Sequence, residues 1–325
     1  MSASIGRTGR RGLLGGALAL PGLGLGAAAQ SARPITIVAP FPAGGSSDIL
    51  ARVVAERLGP MLGRSVVVEN VSGAGGRIAA RGVEAAAPDG TRLLLANTSV
   101  AALTPLTDPQ AGYDPLRFVP VAGAAEFAAG LASGPMTRAT TLAELTAWLR
   151  ANPTQANYGV PATGSLPHLT GILYGRVIGL EMTVVPYRGG APIAQDLLAG
   201  NLAVGIAAAA DFAGVHQGGR ARLLAVTGTR PAPGLPDVPT FTEAGLAGFE
   251  ANAWTGFFAP PGTPEALVAP IGTAIRTILA DATVRARLEQ VALIPVPADG
   301  ATLRAWLERD RASFAPLLAA AGLGR

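Results

Sequence analysis

The sequence contains no lysine and no cysteine, and only two histidines, His168 and His216. Each absence removes a chemistry. All 25 basic residues are arginine, so no side chain forms a Schiff base with a carbonyl substrate or with pyridoxal phosphate, and no P-loop lysine exists. Without cysteine there is no thiolate nucleophile, disulfide, cysteine-ligated zinc or iron–sulfur cluster. That lack fits either redox compartment. No G-x-S-x-G elbow occurs, so the usual setting of a hydrolase serine is missing. The run Gly22-Leu23-Gly24-Leu25-Gly26 has no strand before it and is not a dinucleotide fingerprint. Neither a metal site nor a cofactor is expected.

The formal charge of +4 does not point to nucleic acid, because the arginines are scattered and are not interleaved with aromatics on one basic face. Part of that charge belongs to the first residues. Arg7, Arg10 and Arg11 are followed by an apolar stretch over 13–25 and by Ala27-Ala28-Ala29 before Gln30. This is the layout of a secretory signal peptide over residues 1–29. The Arg10-Arg11 pair keeps a twin-arginine export route open beside the general one, although Gly12 departs from the usual continuation. A membrane anchor is disfavoured, since Pro21 and several glycines interrupt a stretch shorter than the roughly 20 residues a span needs. Without this leader the chain carries 22 basic and 21 acidic residues.

From residue 33 onward, β-rich runs alternate with stretches of helical periodicity. Residues 35–38, 66–68 and 93–95 read as strands, with helices over 49–61 and 78–87 between them. That β-α-β-α-β order predicts a parallel sheet with helices on both faces. A second cycle follows, with helices near 142–150, 166–178 and 191–199 and strands near 157–160, 183–186, 202–206 and 223–226. Thr141 and Glu144 form a capping box for the first of these helices. A strand over 254–259 and three further helices end the chain. The expected fold class is therefore α/β with two lobes, each a mostly parallel sheet flanked by helices. Two crossings are placed near 125–135 and 230–250. The expected division is 30–130 with 240–325 as lobe 1, and 131–239 as lobe 2.

Ligands of parallel α/β sheets bind beyond the carboxyl ends of strands. There the first N–H groups of a helix are unpaired and carry partial positive charge. Glycine lets that backbone approach an anion closely. Phe41, Ala43, Gly44, Gly45, Ser46, Ser47 and Asp48 form such a loop after the first strand, although a plain capped turn explains the same composition. The glycine-rich run 72–76 reads mainly as a turn. Thr163, Gly164 and Ser165 form a bowl of hydroxyls and glycine, with His168 one turn inside the following helix, where a histidine is more often a packing residue. Tyr187 and Arg188 suit a carboxylate, or an interlobe salt bridge in the case of Arg188. Thr98 and Ser99 follow the third strand. Asp211 suits a ligand amine or an ordered water, with a solvated surface acid as the alternative. His216 is expected to be exposed, and Trp254 to lie in the core.

Ordered motifs make the chain similar to a known family, the Bug (TctC-like) solute-binding receptors of tripartite tricarboxylate transporters. The matching residues are Pro40-Phe41-Pro42-Ala43-Gly44-Gly45-Ser46-Ser47-Asp48, Val68-Glu69-Asn70, Pro88-Asp89-Gly90 and Tyr158-Gly159 with Gly164, Ser165 and His168. They continue with Val185-Pro186-Tyr187-Arg188-Gly189-Gly190, Leu235-Pro236-Asp237-Val238-Pro239-Thr240 and Gly262-Thr263-Pro264. The resemblance implies a two-lobe periplasmic-binding-protein fold (type II-like). It implies a periplasmic receptor, not an enzyme, that holds a small carboxylate through residues 43–48 and 163–165 and delivers it to membrane transporter subunits. A monomer is expected. The run Ala207 to Ala210 before Asp211 is blander than the family's usual residues. A sensing subunit for a signalling partner is the alternative role. An exported hydrolase using Ser165 with His168 is disfavoured, because no oriented acid accompanies the pair.

Overall fold

The computed structural model describes residues 33–320 and Leu323; the expected signal peptide and the Arg10-Arg11 pair lie outside them. Two sheets organise the chain. In the first, β1 (Ile35–Ala39), β2 (Val66–Asn70) and β3 (Arg92–Asn97) run parallel, connected by α1 (Ser46–Leu62) and α2 (Arg77–Glu84). The third strand leads into a helical segment, Ser99–Leu103 and then Thr104–Thr107. β4 (Val119–Phe127) then enters the same sheet, and after the single residue Ala128 the chain continues as β5 (Ala129–Ser133) in the second sheet. That is the first crossing.

The second sheet is completed by α3 (Leu142–Ala151), β6 (Asn157–Val160), α4 (Leu166–Ile178), β7 (Thr183–Pro186), α5 (Gly190–Ala199), β8 (Val204–Ala208), α6 (Ala209–Gln217) and β9 (Arg222–Val226). The return to the first sheet is made by β10 (Ala253–Ala259), followed by α7 (Glu265–Ala280), α8 (Ala282–Glu289), β11 (Ile294–Pro295) and α9 (Gly300–Ala320). The strand orders are β11-β4-β10-β3-β1-β2 and β7-β6-β8-β5-β9. Strands that carry the chain between the sheets (β4, β5 and β10) pair antiparallel with their neighbours, while β2-β1-β3 and β7-β6-β8 are parallel. A strand arriving from the other lobe enters its sheet from the opposite end, which reverses its direction. Thr240 bridges Val226, and Phe241 and Phe249 pack into the second sheet's core.

The alternation of strand side chains explains why both faces are covered. Ile35, Ile37, Leu93, Leu95 and Phe257 face one way, onto Leu50, Val54 and Leu58 of α1 and Ile271 and Ile275 of α7. Val38, Leu94, Ala96 and Phe258 face the other way, onto Ala80 and Val83 of α2 and Leu303 and Leu307 of α9. The second lobe repeats the pattern. Leu131, Tyr158, Val204 and Ile206 meet α3 and α4, while Ala132, Ala207 and Val226 meet Ile193 and Leu197 of α5 and Phe212 of α6.

Thr141 caps α3 by accepting the Glu144 N–H, whereas the Glu144 carboxylate reaches Thr140, one residue before the cap. Trp254 is buried as expected, its indole N–H donating to Asp310 at 2.6 Å. His216 differs from expectation. Its side chain is only 7% exposed, because one ring nitrogen accepts the Leu223 N–H and the other pairs with Asp237.

Candidate functional site

The loop between β1 and α1 is held from behind. Gly44 takes a left-handed turn at φ 83°, and its N–H donates to the Asp48 carboxylate at 2.9 Å. The same carboxylate oxygen accepts from Arg52 Nε, one helical turn along, at 2.9 Å. Burial pushes the Asp48 carboxyl up, but the Arg52 guanidinium and the Gly44 N–H outweigh it and hold the group below its ordinary range. Asn70, at the end of the neighbouring strand, donates to the Phe41 carbonyl. With its back braced, the loop turns Phe41, Gly45, Ser46 and Ser47 toward the other lobe. Gly45 is the N-cap of α1 and provides no side-chain cap, so the helix's first N–H groups are available to other partners. One is already engaged. Ser46 N–H donates at 2.8 Å to Oδ1 of Asp211, which sits in the first turn of α6 in the opposite lobe.

On that lobe, Ser165 caps α4 by accepting the His168 N–H at 3.3 Å, and its hydroxyl donates to the Ala162 carbonyl at 2.7 Å. The His168 ring accepts the Gly164 N–H through Nδ1 at 2.8 Å and stacks on Tyr158 with centroids 6.1 Å apart. Burial lowers its pKa. His168 is thus a neutral packing residue that shapes the bowl from below. It is not paired as a base with the Ser165 hydroxyl, which is committed to Ala162.

Among the described residues, two chambers between the lobes are lined by the sequence-derived candidates. The inner one, about 30 Å³, is bounded by Phe41, Gly45, Ser46, Ser47 and Ser99 on one side and by Ala162, Ser165, Gly190, Ala191 and Asp211 on the other. The outer one is larger, about 540 Å³, and includes Gly75, Arg77, Thr104 and Thr107 from the first lobe and Thr163, Gly164, Tyr187 and Arg188 from the second. Ala162 lines both and forms part of the wall between them. The turn at Gly164 (φ 73°) sends neighbouring residues of the bowl to different chambers, so Thr163 and Ser165 do not meet in one pocket. In the outer chamber Arg77 is paired with Asp108 at 2.5 Å, and the Tyr187 hydroxyl with Asp196 at 2.6 Å. Arg188 is exposed.

The remaining sequence-derived candidates lie elsewhere. Ala43 and Gly44 are exposed at the tip of the turn, Asp48 braces it, and Thr98 is buried with its hydroxyl bonded to the Trp254 backbone. Composition could not single out Phe127, Ala191 and Ala208, which also line the inner chamber, because an apolar or small residue carries no chemical signal of its own.

The two lobes meet where side chains are missing. A Cβ added at Gly164 would lie 2.2 Å from Thr107 Oγ1, one at Gly189 would lie 2.7 Å from Pro42, and one at Gly75 would lie 2.9 Å from the Cβ of Ala162. Asp211 is packed just as closely, on the bare backbone of Gly190. Among the described residues it is also the only ionisable one lining the inner chamber. Burial pushes its carboxyl above the ordinary range, opposed by the N–H and hydroxyl of Ser46 and the backbone of Ala208. Among the described residues no three histidine or acidic side chains cluster as metal ligands. The inner chamber therefore offers helix starts, hydroxyls and one carboxylate, a set suited to holding a small polar molecule.

The chain is similar to known proteins over most of its length. The family described as "Tripartite tricarboxylate transporter family receptor" matches residues 50–323. The periplasmic binding protein BugD superposes with a TM-score of 0.85 at 30% identity, covering 90% of this chain and 98% of its own. A Rhodopseudomonas palustris protein solved with adipate gives a TM-score of 0.86 at 32% identity, over 90% of this chain and 98% of its own. MatC from the same organism, solved with bound malate, gives 0.81 at 30% identity, over 87% and 97%. The chain belongs to the family of tripartite tricarboxylate transporter receptors.

Proposed function

We propose that this receptor captures a small organic acid in the inner chamber, closes its lobes over it and hands it to the membrane subunits of a tripartite tricarboxylate-type transporter. The observation that carries the reading is the convergence on one small chamber of the starts of α1, α4 and α5 with the hydroxyl-bearing residues Ser46, Ser47, Ser99 and Ser165. No arginine among the described residues lines it, so helix dipoles and hydroxyls are what would hold a carboxylate there. The adipate and malate bound to the two similar receptors support the same ligand class. In this reading the lobes are 30–130 with 240–325 and 131–239, hinged at the two crossings. Residues 1–29 direct export and are then removed, leaving a periplasmic monomer.

The test is calorimetric titration of the mature chain with a panel of mono-, di- and tricarboxylates, paired with small-angle scattering. Binding of one ligand per chain with a smaller radius of gyration is expected. If no carboxylate in the panel binds, the reading is wrong.

A further inference from the structure

The inner chamber carries an unbalanced charge. Asp211 is the only ionisable residue lining it among those described, and every group acting on its carboxyl is neutral: the N–H and hydroxyl of Ser46 and the backbone of Ala208. The residues before it, Ala207 to Ala210, bring no polar side chain. A buried carboxylate without a cation is costly, and a carboxylate ligand entering alone would place a second anion beside the first. A cationic group on the solute would balance that charge directly, where otherwise only the Ser46 N–H and protonation of the carboxyl relieve it.

We propose that Asp211 receives an ammonium group of the ligand, making the solute a compact zwitterion of the α-amino acid type and not a plain di- or tricarboxylate. This rests on the inner chamber being the ligand site. The geometry specifies where the two ligand charges sit. Asp211 Oδ1 accepts the Ser46 N–H at 2.8 Å, beside the next N–H groups of α1, which Gly45 does not cap with a side chain. The place that attracts an anion and the place that attracts a cation are therefore side by side. A ligand whose carboxylate and ammonium share one carbon fits that spacing, and one with its charges at opposite ends does not. Oδ2 of Asp211 rests against the bare backbone of Gly190, where an added Cβ would lie 2.0 Å away, so the carboxylate is held in one position at the chamber wall. The chamber's volume of about 30 Å³ also suits a compact charged head.

The test uses matched pairs that differ only in the ammonium group: alanine against propionate, aspartate against succinate, glutamate against glutarate. Each is titrated into the mature parent chain and into Asp211→Asn. In the parent the ammonium-bearing member of at least one pair should bind tenfold tighter or more. In Asp211→Asn that preference should shrink at least tenfold, chiefly by loss of affinity for the amino acid. Equal or tighter binding of the plain acids by the parent would overturn the proposal while leaving carboxylate capture standing. Undiminished preference in the asparagine variant would overturn it too. If neither member of any pair binds, the carboxylate reading fails and this proposal falls with it. The parent comparison needs no variant, so it decides the question even where Asp211→Asn folds poorly.

Discussion

Gly164→Ala separates lobe closure from lobe folding, because its two costs fall on different states of the protein. Gly164 has φ 73°, and an alanine held in left-handed backbone costs about 1–2 kcal/mol. That strain exists whether the lobes are apart or together, so it lowers stability and cancels from ligand affinity. The steric cost exists only when the lobes meet. The new Cβ would lie 2.2, 2.6 and 2.9 Å from Oγ1, Cβ and Cγ2 of Thr107, where ordinary contacts begin near 3.4 Å. The seam must open by roughly 1 Å, and overpacking of this size costs about 1–3 kcal/mol. At about 1.4 kcal/mol per tenfold, affinity should fall roughly 5- to 150-fold. Calorimetry with the tightest ligand of the panel measures this directly. A second substitution, Thr107→Gly, removes the atoms that are struck and should restore most of the affinity but none of the lost thermal stability. The Thr107 hydroxyl bonds only to carbonyls of its own turn, so its removal strands no partner across the seam. Affinity of Gly164→Ala within twofold of the parent, or a loss that Thr107→Gly does not relieve, would refute closure by glycine contact.

Two further outcomes follow from the acids on either side of the cleft. Asp48→Ala removes the acceptor of the Gly44 N–H and of Arg52, at a cost of about 1.5–3 kcal/mol for hydrogen bonds to a charged group. Urea denaturation should show a lower midpoint with an unchanged slope. The Asp48 carboxyl is held below its unfolded value, so its contribution is complete above about pH 4 and fades as pH falls through the folded value; an alanine penalty that does not shrink in acid would contradict this. Asp211 has the opposite sign. Burial raises its folded pKa, so the folded state binds more protons than the unfolded one, and the unliganded parent should lose stability as pH rises from about 4 through the shifted value. Melting curves of Asp211→Asn and the parent should therefore diverge with rising pH in the variant's favour, and parallel curves would disprove it.

What could be read in advance divides by distance along the chain. The strand and helix order was readable because alternation and helical spacing are local. The bracing of the first loop was local as well, since Asp48 and Arg52 stand four apart on one helix and Gly44 lies within the same turn. The link between Ser46 and Asp211 spans 165 residues, and nothing near either residue reveals it. Asp211 was a candidate from its position after a strand, but its partner depends on how the lobes meet. The bowl of Thr163, Gly164 and Ser165 shows the converse. Composition grouped these residues as one bowl at a helix start, yet the turn at Gly164 divides them between two chambers, because backbone direction at a left-handed glycine outweighs nearness in sequence.

This division also bears on how the receptor chooses its solute. In the proposed function, helix starts and hydroxyls would recognise a carboxylate through groups the fold has already ordered, so no long arginine side chain, at about 1.5–2 kcal/mol of rotamer entropy, would have to be immobilised on binding. A grip built that way says little about the rest of the ligand, since any carboxylate presents the same oxygens. Discrimination then falls on whatever single charge faces the chamber. Here it is Asp211, an acid at the end of four alanines, Ala207 to Ala210, and the only ionisable residue lining the chamber among those described. A change at that one position would alter the preferred charge of the solute without disturbing the anion cradle or the glycine seam. Asp211→Asn with Gly164→Ala tests that independence, because effects on ligand preference and on closure should add within about 0.5 kcal/mol if the two functions are separate.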